Sequence, residues 1–280
     1  MTLRSLLVLL DRDMACADRT RFAIRLALRM DCHLTGLAPT GLADLPKIAD
    51  TPAALTELAG FALERLHQQA QGAAQQFRDA CRVAAVKSFA ALVDEADPAQ
   101  ALVRHAHGSD LLIVSQGDPA RARRGAARAL VEGVVLTSAR PVLILPHAAH
   151  VDALEGPTLV AWDGSREAAR ALADALPLLC GAQRVHLVSW NEDGDEPDPA
   201  LRGRLQGVAQ WLSRHGVAAE VRIEAVERGI ADSMLSLAAR LECDLIVMGA
   251  YGHARWAERM LGGATRGLLA GMTVPVLMSH

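Results

Sequence analysis

Apolar and polar positions alternate in two different ways along this chain. Short runs of aliphatic residues are separated by longer stretches in which apolar residues recur every three or four positions. The short runs predict buried β-strands, and the longer stretches predict amphipathic helices. Short continuous apolar strands between helices are typical of a parallel sheet that is covered on both faces. The sequence therefore predicts an α/β fold.

The order of the short motifs indicates an internal duplication. Three motifs are each present twice in the same order. LLVLLD at residue 6 corresponds to LVAWD at residue 159, and DLLIV at residue 110 corresponds to DLIV at residue 244. PVLIL at residue 141 corresponds to PVLM at residue 275. The later two pairs share one offset and the first pair has a larger one, so the first copy carries a longer insert, which we place around residues 38–85. The sequence predicts two domains, at 1–147 and 155–280.

Each copy contains five strand-like runs. In the second copy we predict strands at 158–162, 184–190, 218–226, 244–248 and 274–278, and helices at 165–180, 199–215, 230–242 and 263–271. This order predicts two doubly wound parallel five-stranded sheets in tandem. Such sheets bind ligands at the carboxyl ends of the strands, where the strand order reverses.

Two helix starts carry local capping signals. Ser165 stands directly before the first predicted helix of the second copy, where a hydroxyl can accept a backbone N–H. In the first copy, Asp97 precedes Pro98 and Gln100, which predicts a cap, a first helical residue and a capping partner.

Composition narrows the function classes. The chain has 280 residues, of which 51% are hydrophobic and 22% are charged, so it is not a disordered chain. Its apolar runs are too short to span a membrane. A net charge of −3 argues against a dedicated nucleic-acid binder. Five cysteines without a CxxC motif indicate a reducing compartment, and we expect a cytoplasmic protein.

Glycines surround the last predicted helix of the second copy. Gly249 and Gly252 follow a predicted strand, and Gly262 and Gly263 come directly before a helix that contains Thr265. A phosphate group can approach backbone amides where no Cβ intervenes, and a helix N-terminus adds partial positive charge. Glycines are also ordinary turn residues, so the spacing alone leaves both interpretations open.

Asp163 lies at the end of the first strand of the second copy, within the segment AWDGS at 161–165. A carboxylate at this edge of the sheet can accept hydrogen bonds from ribose hydroxyl groups. It can equally help to cap the following helix, and the residues alone do not decide between these roles.

Together these motifs resemble those of the universal stress protein family, and the chain looks like a tandem of two such domains. The family signature, Gly-x2-Gly-x9-Gly followed by Ser or Thr, is matched by Gly249, Gly252 and Gly262. Gly263 stands where the family has its hydroxyl residue. The resemblance implies an adenine nucleotide alpha hydrolase-like fold that binds ATP in the second copy, with Mg²⁺ held through the phosphates. One lost neutral hydrogen bond, about 0.5–1.5 kcal/mol, would weaken ATP binding without abolishing it.

By the same resemblance, Asp163 faces the ribose or the adenine side with the Ala161 backbone nearby, and Ser189 lines the adenine pocket. The residues implied to contact the nucleotide are Ala161, Asp163, Ser189, Gly249, Gly252, Gly262, Gly263, Ala264 and Thr265. No catalytic residue and no protein ligand for a metal is predicted.

The first copy departs from this signature. Aligning Pro141 with Pro275 places Ser115, Asp118, Arg128 and Ala129 where Gly249, Gly252, Gly262 and Gly263 stand. The carboxylate of Asp118 would repel a phosphate, and side chains would fill the loop. We therefore expect at most one nucleotide site, in the second copy.

The resemblance implies a cytoplasmic stress-response factor that binds an adenine nucleotide and acts through conformation or partners rather than as an enzyme. A weak ATPase and a nucleotide-free interaction scaffold stay open as alternatives; P-loop and GxGxxG motifs are absent from the sequence. The resemblance also implies that the two copies pack as an internal pseudo-dimer, in which strands 141–145 and 274–278 could pair antiparallel and protect both edges. Further homodimerisation is left open.

Overall fold

The fold consists of two similar halves that alternate strands and helices. The computed structural model describes residues 2–41, 53–117, 124–147, 151–191, 199–226, 229–252 and 263–280. The strands are β1 Ser5–Leu9, β2 His33–Pro39, β3 Phe89–Asp94, β4 Leu111–Ser115, β5 Val142–Leu145, β6 Pro157–Ala161, β7 Arg184–Asn191, β8 Ala219–Ala225, β9 Leu245–Gly249 and β10 Val276–Ser279. The helices are α1 Cys16–Met30, α2 Ala53–Val83, α3 Pro98–Ala106, α4 Arg124–Thr137, α5 Arg166–Leu179, α6 Pro199–Arg214, α7 Ile230–Arg240 and α8 Gly263–Gly271.

The strands form one sheet in the order β3-β2-β1-β4-β5-β10-β9-β6-β7-β8. Within each half, neighbouring strands are parallel and follow the same order, which confirms the predicted doubly wound architecture. The two predicted five-stranded sheets are continuous with each other. β10 pairs antiparallel with β5, with Leu277 opposite Leu143, so the predicted pairing of these two strands is confirmed.

The continuous apolar strands are explained by helices on both faces of the sheet. Along β4, Leu111 and Ile113 belong to one core cluster, whereas Leu112 and Val114 belong to the other. Helices α1, α2, α5 and α6 cover the first face, and α3, α4, α7 and α8 cover the second. Because both sides of each strand are buried, both sets of alternating positions must be apolar.

The longer insert of the first half contains α2. This helix of 31 residues follows β2 and precedes β3, inside the range predicted to carry the extra length. Its second half packs on the sheet through buried residues that include Phe77 and Cys81.

The structure also confirms Ser165 and Asp97 as N-caps, whereas a capping role of the Gln100 side chain stays a prediction. Ser165 Oγ accepts a hydrogen bond from the backbone nitrogen of Ala168 at 3.0 Å. Asp97 Oδ1 accepts from the nitrogens of Ala99 at 2.9 Å and Gln100 at 3.4 Å, with Pro98 as the first helical residue. Within the described ranges, we find no helix with the length and apolar character that crossing a bilayer requires.

Candidate functional site

The strand order of the second half reverses between β6 and β9. These two strands are hydrogen-bonded neighbours, with Val160 opposite Val247. Helix α5, which follows β6, packs on one face of the sheet, whereas α8, which follows β9 along the chain, packs on the other. A crevice therefore opens beyond the carboxyl ends of β6 and β9, and this is the place where doubly wound sheets bind ligands.

Asp163 lies at this crevice, two residues after the end of β6. Its side chain is exposed, and its Oδ1 accepts a hydrogen bond from the backbone nitrogen of Ser165 at 2.9 Å. Asp163 therefore stabilises the turn before α5, and the cap of that helix is made by Ser165. The ribose contact stays a prediction.

Gly249 and Gly252 pack closely against the first turn of α5. A Cβ atom on Gly249 would lie 2.4 Å from the backbone nitrogen of Ala168 and 2.6 Å from the carbonyl carbon of Glu167. A Cβ atom on Gly252 would lie 2.9 Å from both Ser165 Oγ and Glu167 Oε2. Gly249 thus has a packing role, because only a residue without a side chain lets the end of β9 approach the backbone of α5 so closely. At Gly252 the nearest atoms belong to side chains, so the constraint on this residue is weaker.

The sequence did not single out Glu167, whose carboxylate lies at this loop. Glu167 is buried and pairs with Arg166. Burial raises the pKa of Glu167, but the hydrogen bond from Arg166 and further favourable interactions outweigh it and hold that pKa below its ordinary value. The carboxylate is therefore ionised beside Gly252. Acidic residues commonly occupy the first turn of a helix, where they interact favourably with the helix dipole. The sequence pattern therefore gave no sign that the Glu167 carboxylate would lie beside the glycine loop.

Two of the predicted residues at the ends of β6 and β7 lie on different faces of the sheet. Ala161 is buried in the core cluster beneath α7 and α8, together with Trp190 of β7. Ser189 is also buried and has the strand parity of Val185 and Leu187, which belong to the opposite cluster. Trp190, rather than Ser189, therefore shares the face of Ala161.

The predicted residues around α8 are placed as follows. Gly263 begins the helix, Ala264 is half-buried, and Thr265 is buried, so its hydroxyl group is not exposed to solvent. Gly262 lies outside the described residues.

A cavity of about 480 Å³ lies beside Trp190, between the end of β8 and α7. Glu224, Asp232 and Arg240 supply charge to its wall, and Arg240 Nη2 lies 3.3 Å from Glu224 Oε2. Among the described residues, none of the predicted site residues lines this cavity. Its wall shares Trp190 with the core cluster that contains Ala161.

In the first half, the sequence also missed Arg19. This residue of α1 is 1% exposed, and its guanidinium group lies between the ends of β1 and β4. Ser115, the residue aligned with Gly249, is one of its hydrogen-bond partners. Asp118 lies outside the described residues.

Within the ranges that the structure describes, no group of three or more His, Cys, Asp or Glu side chains is placed to hold a metal ion.

Comparison with known proteins matches residues 156–280 to the universal stress protein family. A universal stress protein of Synechocystis sp. is 25% identical over 174 residues, which cover 60% of this chain and 56% of that protein, so the matched segment spans little more than half of the relative. Among solved structures, a universal stress protein from Archaeoglobus fulgidus is 20% identical with a TM-score of 0.70, covering 98% of this chain and 95% of that one. A functionally unknown protein from Pseudomonas aeruginosa is 16% identical with a TM-score of 0.60, covering 99% and 92%. These two structures share the fold over nearly the whole chain.

Proposed function

We propose that residues 156–280, which match the universal stress protein family, form a domain of that family that binds ATP. The chain would then act as a cytoplasmic stress-response factor through its conformation or its partners. The observation that supports this proposal is the position of Asp163 and Gly249. They lie at the carboxyl ends of the neighbouring strands β6 and β9, where the strand order reverses.

The phosphate end of the nucleotide would lie at the start of α8. The backbone amides of Gly263, Ala264 and Thr265 are in the first turn, where helical N–H groups have no partner within the helix and the helix dipole favours an anion. Since the Thr265 side chain is buried, we assign a backbone contact rather than a hydroxyl contact to this residue.

The nucleoside end would lie toward β7. Ala161 and Asp163 stand at the end of β6, and Ser189 and Trp190 are near the end of the neighbouring strand. The cavity beside Trp190, about 480 Å³, is within the usual range of ligand pockets, and its wall combines apolar with hydrogen-bonding side chains.

The charge at Glu167 favours the magnesium complex of ATP over the free anion. An ionised carboxylate beside Gly252 repels an unshielded phosphate, and Mg²⁺ bound to the phosphates would neutralise part of that charge. The same carboxylate is the observation that favours a second candidate function, an interaction protein without a nucleotide.

Two measurements on the full chain separate these candidates. Mass spectrometry of the purified protein should find copurified adenine nucleotide, and MgATP should change the tryptophan fluorescence saturably, because Trp162 and Trp190 adjoin the site. Asp163→Ala should weaken this response. The control Asp152→Ala, at an exposed carboxylate that pairs with Arg25, should not change it.

The absence of both copurified nucleotide and a fluorescence response would overturn ATP binding and favour the interaction protein. Steady phosphate release at saturating ATP would instead indicate an ATPase.

A further inference from the structure

We infer that the crevice at the carboxyl ends of β1 and β4 in the first half is a binding site for a guanidinium group. The side chain of Arg19 occupies this site and thereby closes it to anionic ligands. This inference concerns the other half of the molecule and does not depend on ATP binding in the second half.

Three donors of the Arg19 side chain meet three oxygen acceptors. Nε donates to the carbonyl oxygen of Leu9 at 2.8 Å, Nη1 to Ser115 Oγ at 2.8 Å, and Nη2 to Asp11 Oδ1 at 2.7 Å. The planar guanidinium fork suits such an arrangement, since it presents several N–H groups in fixed directions and accepts no hydrogen bond.

The register of the sheet shows that these acceptors are the counterparts of the second-half site. Val8 lies opposite Ile113 in the first half as Val160 lies opposite Val247 in the second. Leu9 and Ala161 directly follow Val8 and Val160, and Asp11 and Asp163 each come two residues later. On the neighbouring strands, Ser115 and Gly249 each come two residues after Ile113 and Val247, so Ser115 corresponds to Gly249.

The helices also correspond. Arg19 and Ala168 are both buried residues in the first turn of the helix that follows the first strand of each half, since Arg19 is the fourth residue of α1 and Ala168 is the third residue of α5. Arg19 therefore lies close to the place that Ala168 has in the second half. The second half brings Ala168 against Gly249, whereas the first half brings Arg19 against Ser115.

Little space remains around the guanidinium group. The cavity beside it measures about 10 Å³, which is roughly the space that one water molecule needs. Burial lowers the pKa of Arg19, but the attraction of Asp11 and further interactions outweigh it and keep that pKa above its ordinary value. The cation is thus retained, and the carbonyl and carboxylate oxygens around it would repel an anion.

The first experiment empties the site in the full chain. Arg19→Ala should lower the midpoint of thermal unfolding by roughly 5–10 °C, because it leaves buried acceptors and the Asp11 carboxylate without their partner. Guanidinium or methylguanidinium chloride at low millimolar concentration should restore part of this loss saturably, whereas sodium or ammonium chloride at the same concentration should not. Arg21→Ala, at an exposed arginine of the same helix, should show neither effect.

The inference would be overturned if guanidinium chloride and sodium chloride changed the midpoint of thermal unfolding of Arg19→Ala equally. A second measurement needs no variant, in case Arg19→Ala does not fold. In the wild-type protein, the Nε–H proton of Arg19 should exchange with solvent at least tenfold more slowly than that of Arg21 in NMR spectra. Equal exchange rates, or a shift of the Arg19 Nε–H signal when inorganic pyrophosphate is added, would also contradict it.

Discussion

The backbone nitrogen of Ala168 occupies the place that a side chain on Gly249 would need. A Cβ atom on Gly249 would lie 2.4 Å from this nitrogen, closer than any ordinary contact. The first turn of α5 and the end of β9 are therefore in direct backbone contact, and the glycine is required by the fold as well as by any ligand.

We expect Gly249→Ala to destabilise the chain by about 1–3 kcal/mol, because the added methyl group meets rigid backbone rather than a side chain that can move. Urea unfolding would measure this change. Gly203→Ala is the matched control, because this glycine lies in α6 with open space around its Cβ position. There the same change should stabilise the protein by about 0.5–1 kcal/mol through helix propensity. Similar effects at both positions would contradict the packing role of Gly249.

Glu167→Gln should increase the affinity for metal-free ATP several-fold, on the order of 1 kcal/mol, by removing a negative charge beside Gly252. The affinity for MgATP should change less. Titration of tryptophan fluorescence with ATP, with and without a chelator, would measure both affinities. Glu155→Gln, at an exposed carboxylate that pairs with Arg29, should leave them unchanged. An unchanged affinity of Glu167→Gln for metal-free ATP would show that the phosphates lie elsewhere.

Stability should fall in acid partly through Asp94. Burial raises the pKa of this carboxyl group, but Arg104, the backbone nitrogen of Ala96 and His105 hydrogen-bond to its charged form and lower the pKa to about 2. In the unfolded chain the value is about 4. The stabilisation is therefore present above pH 4 and is lost as the pH falls from about 4 to about 2.

Asp94→Asn should remove a pH-dependent contribution on the order of 1–2 kcal/mol from this range. Urea unfolding between pH 2 and 5 would show a flatter profile for the variant than for the wild-type protein. Parallel profiles would mean that Asp94 has the same pKa in both states.

Gln116 connects the first half to the end of α8. Its Nε2 donates to the carbonyl oxygens of Leu269 at 2.7 Å and Ala270 at 3.2 Å, and its Oε1 accepts from the backbone nitrogen of His147 at 3.1 Å. Gln116→Ala should cost about 1–2 kcal/mol in urea unfolding, because it removes these hydrogen bonds. Gln75→Ala, on the exposed surface of α2, should cost much less. Equal costs would exclude a special role for Gln116.

Much of the fold follows from local signals that the sequence displays directly. Ser165 and Asp97 cap the helices that they precede, and the repeated PVL motifs mark the starts of β5 and β10. These features depend on neighbours in sequence or on an exact repeat, so they can be read without knowledge of the tertiary structure.

The features that the sequence did not reveal depend on contacts between distant segments. The contact between Gly249 and Ala168 requires the crossing of β9 and α5, which no local pattern encodes. Arg19 did leave a signal, since it lies on the helix face of Phe22, Ala23 and Leu26. An arginine on an apolar face more often extends its charge to solvent, so the acceptors around it had to be seen.

The pairing of β5 with β10 has a consequence for how the sites at the strand ends of the two halves could come to differ in sequence. Because both strands belong to one chain, their association is intramolecular, at an effective concentration in the millimolar range or above, and dilution does not separate them. A homodimer of single domains would carry any change in both copies. Here the fused arrangement permits one copy to hold a buried arginine at its strand ends while the other has an alanine and a glycine there, so asymmetry is a fixed property of every molecule.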